Sequence, residues 1–295
     1  LLDGHINDLV KRSIQKGYNI FDVLKIACIN PKEHYNLEVG QLKVGDKADF
    51  IEVKDLESFK IVRTFINGEV VYENSKTKIE SIKVESINNF NTLKTSPLDF
   101  IFENRCDELE VIQVIDHELF TLEKKYHTHS DGIFSVDVEE DILKIAVLNR
   151  YENSKPSLAF VNGFNLKRGA IASCVAHDSH NIIAVGCNDE DISKAINILI
   201  ESKGGISCVD GKTTLHLPLG IAGIMSSDDA FKVAAKYEEL DKFVKKNLKS
   251  TLSAPFMTLS FMALLVIPEI KLSDKGLFDG REFHFIPACV REHKE

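Results

Sequence analysis

The chain has 295 residues, with 36 basic against 45 acidic side chains and a formal net charge of −9. A nucleic-acid surface needs a local excess of Lys and Arg to displace counterions, and no long basic run supplies one here, which argues against nucleic acid as a main partner. Apolar residues at 44% and charged residues at 27% are ordinary globular values, and the longest apolar run, Phe261 to Ile267, falls far short of the ~18 residues of a membrane span.

Taken in order, the chain opens with Leu1-Leu2-Asp3 rather than Met, which reads as the later portion of a longer polypeptide. Ile6, Leu9, Val10 and Ile14 recur at helical spacing, with Asp3 as the expected cap and Gly17 as the stop. Ile20, Val23, Leu24 and Ala27 repeat the pattern until Asn30-Pro31. Two such one-striped helices cannot form a core alone, so the expected packing partner precedes residue 1. From Gly40 the period changes to two: Ala48 to Val53 reads as a strand, and Ile61–Ile66 and Glu69–Tyr72 as a hairpin turning at Asn67-Gly68. Residues 75–95 are polar and weakly periodic, and read as a linker or edge.

From Ser96 onward strands and helices mix. The expected strands are Val111–Ile115, Ile142–Leu148, Leu158–Val161, Ala170–Ala176 and Ile182–Val185, followed by a hairpin, Ile206–Val209 with Thr213–Leu217, turning at Asp210-Gly211. The expected helices are Asp191–Ser202, ended by Gly204-Gly205, and Asp228–Leu248, opened by Ser226-Ser227. This makes an α+β domain. Six cysteines without a CxxC pair, and no signal peptide, read as reduced thiols of a cytoplasmic protein.

The densest chemistry lies in His177-Asp178-Ser179-His180-Asn181, between apolar stretches. If the segment stays extended, His177, Ser179 and Asn181 share one face and Asp178 and His180 the other. Buried polar groups are costly without partners, so the block reads either as a ligand site or as a satisfied network that locks a turn. A His-x-His pair, His127-Thr128-His129, has the spacing of two metal ligands, but two ligands do not complete a site and the neighbouring Asp131-Gly132 favours a solvated loop equally. Leu217 to Gly223 lacks any phosphate-binding signature, and its glycines read as sites of close backbone packing. Phe256, Leu259, Met262 and Ala263 read as a core stripe after Pro255. The His-x-Glu and Pro-Cys-x-x-Cys signatures of the cytidine-type deaminases do not occur.

The His177 to Asn181 block, with Gly163-Phe164-Asn165-Leu166 before it and Leu217-Pro218-Leu219-Gly220-Ile221-Ala222-Gly223-Ile224-Met225-Ser226 after it, closely resembles the C-terminal region of the bacterial adenine deaminases, members of the amidohydrolase superfamily. Gly276-Leu277-Phe278-Asp279-Gly280 is similar too. Near the start, Asp3-Gly4-His5-Ile6-Asn7, Ala27 to Tyr35 and Leu42 to Phe50 resemble the end of an amidohydrolase barrel running into its β-sandwich.

The resemblance implies a fold of three parts: residues 1–39 as the last helices of a (β/α)8 barrel, 40–95 as β-sandwich strands and linker, and 96–295 as a C-terminal α+β domain. It implies hydrolytic deamination of adenine to hypoxanthine and ammonia in purine salvage, at a two-metal centre of Mn2+ or Fe2+. The ligands of that centre belong to an N-terminal barrel half, so the isolated chain is expected to be inactive and no metal ligand is assigned within it. His127 and His129 are not the family's metal pair. His177 and Asp178 are the expected catalytic residues, with Ser179, His180, Asn181 and His5 binding substrate or supporting it. Adenine, the barrel half and further copies of the chain in a homo-oligomer are the implied partners. Two alternatives are a non-catalytic purine-binding or oligomerisation module and an amidohydrolase acting on another aminopurine.

Overall fold

The structure is a computed structural model that describes residues 4–82, 84–104, 107–128 and 132–290. The chain divides into two compact units, residues 1–83 and 84–295, and together they are mixed α/β.

In the first unit, α1 (Ile6–Gln15) carries the expected apolar stripe, but Asp3 lies outside the described residues and the N-cap is His5, without a side-chain bond. The next helix, α2 (Ile20–Leu24), is capped by Asn19, whose Oδ1 accepts from the backbone N–H of Phe21 at 2.9 Å and of Asp22 at 3.3 Å. Pro31 does not end this helical run. A π-helical turn, Lys25–Ile29, leads into α3 (Asn30–Tyr35), whose first turn holds Pro31 because no N–H is needed there.

Four antiparallel strands, β1 (Phe50–Val53), β2 (Ile61–Ile66), β3 (Glu69–Glu73) and β4 (Lys76–Thr77), follow in sequential order. Asn67 and Gly68 have φ of 50° and 82°, as a tight hairpin requires. Asp49 ties this unit together: its carboxylate accepts from Gly40 N and Asn67 N, both at 2.8 Å. Those two bonds, Asn67's first, hold its pKa below the usual carboxylate range. Val10, Val23 and Phe59 form the small core. Ile6, Leu9, Tyr18, Phe21 and Ile26 remain exposed, and several of them line an apolar groove of about 480 Å³.

The second unit is built on a sheet of nine strands among the described residues. They are β6 (Glu108–Val114), β7 (Thr121–His127), β9 (Leu143–Leu148), β10 (Ser157–Asn162), β11 (Ala170–Ser173), β12 (Ile182–Gly186), β13 (Gly205–Asp210), β14 (Thr213–Pro218) and β18 (Cys289–Val290). The order is β14-β13-β11-β12-β9-β10-β6-β18, with β7 also on β6, and every pairing is antiparallel except β10 with β6. Strand β7 was not expected from the sequence, because its Thr-Leu-Glu-Lys-Lys-Tyr-His run is polar on both faces.

β9 and β12 are buried along their whole length, which explains the apolar run of β12 and the largely apolar run of β9, whose one charged residue, Lys144, is buried and donates to Phe100 O at 2.6 Å. Leu143, Ile145 and Val147 face a core closed by α5 (Ala230–Lys246) and α6 (Pro255–Phe261), and Ala146 and Leu148 face α4 (Asp189–Ser202). The stripe Phe256, Leu259, Met262 and Ala263 is buried as expected. Each buried large apolar side chain contributes about 1.5–3 kcal/mol relative to exposure.

Helix α5 opens at Asp229, which accepts from Phe231 N and Lys232 N, two residues later than the serines suggested. Smaller sheets pair β5 (Phe102–Asn104) with β8 (Gly132–Phe134), and β15 (Ile270–Ser273) with β16 (Gly276–Asp279) and β17 (His284–Ile286).

The polar stretch expected as linker runs along the second unit from about residue 87. Asn91 N and Thr92 N donate to Arg150 O, Asn88 Nδ2 donates to Lys203 O and Gly220 O, and Thr95 N donates to Asn197 Oδ1. Amide side chains and backbone, rather than apolar periodicity, hold it, which is why its sequence looks like a linker.

Cys28, Cys174, Cys187 and Cys208 carry free thiols. Cys289, partly buried against the Leu109 cluster, is disulfide-bonded, contrary to the expectation of reduced cysteines. No helix among the described residues is long and apolar enough to cross a membrane.

Candidate functional site

β11 ends at Ser173, earlier than its apolar sequence suggested, and the chain turns instead of staying extended through Asn181. Cys174 N donates to Gly205 O at 2.9 Å, and the turn closes where His180 N donates to Ala176 O at 2.6 Å. His180 takes a φ of 54°, which reverses the chain before β12 and removes the expected alternation of faces. His177 N donates to Ser260 O at 3.2 Å, anchoring the turn on α6.

The five polar residues divide into distinct environments. Asp178 and Ser179 are exposed, His177 and His180 are half-buried, and Asn181 is buried. The His177 ring lies 4.9 Å from the Phe261 ring and 5.8 Å from that of His180. The Oδ1 of Asn181 accepts from Arg150 N at 3.2 Å. Burial, and after it charge repulsion from His177 and Arg150, holds His180 below the ordinary histidine pKa, against the opposing charge of Asp178. Its Nδ1 is buried without a partner. A neutral imidazole of this kind can accept a hydrogen bond from an uncharged heterocycle or donate one to it, beside the exposed carboxylate of Asp178.

Two residues that the sequence did not single out support this turn. Arg150 directly follows Asn149 at the end of the buried strand β9. Its Nη1 donates to Ala222 O at 2.7 Å and its Nη2 to the Tyr151 hydroxyl at 2.9 Å, while Tyr151 donates in turn to Ser179 O at 2.7 Å. The sequence signal for this pair was a charged and an aromatic residue shortly after a largely apolar strand.

Gly223, with a φ of 77°, is the point of close approach: a Cβ there would lie 1.9 Å from Arg150 Nη1. A Cβ on Gly204 would lie 2.3 Å from Gly223 Cα, so Gly223 serves close packing, as expected for its loop, and Gly204, expected only as a helix stop, serves it too.

His5 is exposed at the start of α1 in the first unit, while His177 to Asn181 belong to the second. His127 ends strand β7 with Nδ1 3.6 Å from Glu108 Oε2, and His129 is outside the described residues. Among the described residues no group of three or more His, Cys, Asp or Glu side chains is arranged to hold a metal ion.

Comparison with known proteins gives two family matches, "Adenine deaminase C-terminal domain" over residues 118–284 and "Amidohydrolase family" over residues 4–71. A protein named adenine deaminase from Sulfurovum sp. (strain NBC37-1) is 55% identical over 287 residues, covering 97% of this chain and 52% of that protein. Proteins of the same name from Salinibacter ruber and Borreliella afzelii are 46% and 48% identical, covering 98% and 97% of this chain and 53% of each relative. The chain therefore spans about half the length of the curated relatives it matches.

Proposed function

Because this chain belongs to the adenine deaminase C-terminal domain family and carries an amidohydrolase match before it, we propose that it is the C-terminal part of an adenine deaminase, a hydrolase converting adenine and water to hypoxanthine and ammonia in cytoplasmic purine salvage. The observation that carries this reading is similarity to relatives of that name along nearly the whole chain. In this reading residues 1–39 are the last helices of the barrel, the strands after Gly40 belong to its β-sandwich, and the second unit is the C-terminal domain. The exposed apolar face of α1 and α2 is where the N-terminal half packs, since exposed apolar groups on helices too short to be stable alone are best buried against another element. The metal ions of the reaction, manganese or iron, belong to that half. The working enzyme is a homo-oligomer.

The role assigned to this chain is at the 177–180 turn. A neutral His180, the His177 imidazole against Phe261 and the exposed Asp178 suit a neutral aminopurine, which needs hydrogen bonds and proton transfer rather than a counter-charge. The test is adenine turnover by the enzyme containing this chain and its N-terminal half. His177→Ala or Asp178→Ala is expected to lower kcat/KM at least ~10-fold, about 1.4 kcal/mol, and the chain alone is expected to be inactive. Parental kinetics in both variants would make the turn scaffolding.

A further inference from the structure

Arg150 is 5% exposed and is the most heavily used polar residue around the turn. Its backbone N–H meets Asn181, its carbonyl receives Asn91 and Thr92, and its guanidinium bridges Ala222 O and the Tyr151 hydroxyl. The guanidinium also lies over two rings, 4.8 Å from Tyr151 and 5.7 Å from Phe90. The Nε donor is buried without a partner. An arrangement that needed only a buried cation to fill space would not combine a planar fork, a stacked tyrosine and a glycine whose Cβ would collide with Nη1. The fork has a defined destination: through the Tyr151 hydroxyl it reaches Ser179 O, in the middle of the polar turn.

We propose that Arg150, acting through the Tyr151 hydroxyl, is a positioning residue that fixes how His177, Asp178 and His180 face the reacting base. This rests on the functional reading of the turn given above. Arg150 touches neither substrate nor reacting atoms in this role. The Arg150–Tyr151–Ser179 chain holds the middle of the polar segment, the separate Arg150–Asn181 contact holds its end, and His177 N on Ser260 O holds its start. Such support narrows the orientations open to the side chains between those anchors, and misplacement of a catalytic group by as little as ~1 Å costs on the order of 100-fold in rate.

The decisive variant is Tyr151→Phe, which removes one oxygen and keeps the ring that stacks on Arg150. It is read in the enzyme that unites this chain with its N-terminal half, beside Arg150→Lys and His177→Ala. The expected result for Tyr151→Phe is a fall in kcat of at least about fivefold with KM for adenine within about twofold, and a thermal midpoint within about 3 °C of the parent. Arg150→Lys keeps the charge but cannot bridge Ala222 O and Tyr151 Oη as a fork, and is expected not to rescue.

Parental kcat in Tyr151→Phe alongside an impaired His177→Ala overturns the positioning role and leaves the functional reading of the turn intact. A fall in activity matched by a thermal midpoint lower by more than about 10 °C assigns the pair to scaffolding and equally overturns it. Parental kinetics in both Tyr151→Phe and His177→Ala overturn the functional reading and the positioning role together.

Discussion

Gly223→Ala probes the packing that the turn depends on. Gly223 has a φ of 77°, and its new Cβ would lie 1.9 Å from Arg150 Nη1 and 3.2 Å from Cζ. The left-handed backbone alone costs a non-glycine residue about 1–2 kcal/mol. The guanidinium must also retreat and surrender its 2.7 Å bond to Ala222 O, and a hydrogen bond to a charged group contributes about 1.5–3 kcal/mol. The sum is about 2.5–5 kcal/mol, which for a domain of this size lowers the thermal midpoint by roughly 5–20 °C. Gly211→Ala is the matched control, since its φ of 56° is also positive but nothing lies within 4 Å of the new Cβ. It should lose only the backbone share, about 1–2 kcal/mol. Calorimetry of both variants separates the two contributions. A Gly223→Ala midpoint equal to that of Gly211→Ala would refute the claim that close approach to Arg150 is what requires glycine at 223.

Glu110 gives a pH-dependent prediction. Its carboxyl is buried, and burial, then the hydrogen bond and charge of Glu123 and the charge of Glu108, push its pKa from 4.5 to about 7 against the attraction of Lys125. The folded state therefore holds a proton that the unfolded chain releases, so this group's contribution is fully present below 4.5 and is lost as pH rises through 7. Glu110→Gln should accordingly raise the thermal midpoint at pH 8.5 by more than at about pH 4. An equal shift at both values would contradict the assignment. Asn181→Ala removes the acceptor of the buried Arg150 N–H and should cost about 1–3 kcal/mol, read as a lower urea midpoint with unchanged slope. An unchanged midpoint would mean that this 3.2 Å contact contributes nothing.

The sequence by itself determined the elements whose signal is local. The stripe of α1, the Asn67-Gly68 and Asp210-Gly211 hairpins, the buried runs of β9 and β12 and the Phe256 to Ala263 stripe all follow from periodicity or from the φ angles that only certain residues tolerate. The polar block at 177–181 was legible too, because five hydrogen-bonding residues between apolar neighbours are conspicuous without any structure. Strand β7 was hidden because its pairing with β6 supplies what its polar sequence does not, and residues 87–95 looked like linker because backbone and amide bonds to a distant part of the chain hold them. Only the tertiary structure decided that 177–181 is a turn and not a strand. It also buried Asn181 against Arg150 N, left His177, Asp178 and His180 exposed or half-buried, and brought Arg150, Tyr151 and Gly223 together beside the turn. The reason is physical: periodicity records which face of an element is buried, whereas the partner of a particular donor or acceptor is fixed by chain folding across sequence separations of 28 to 72.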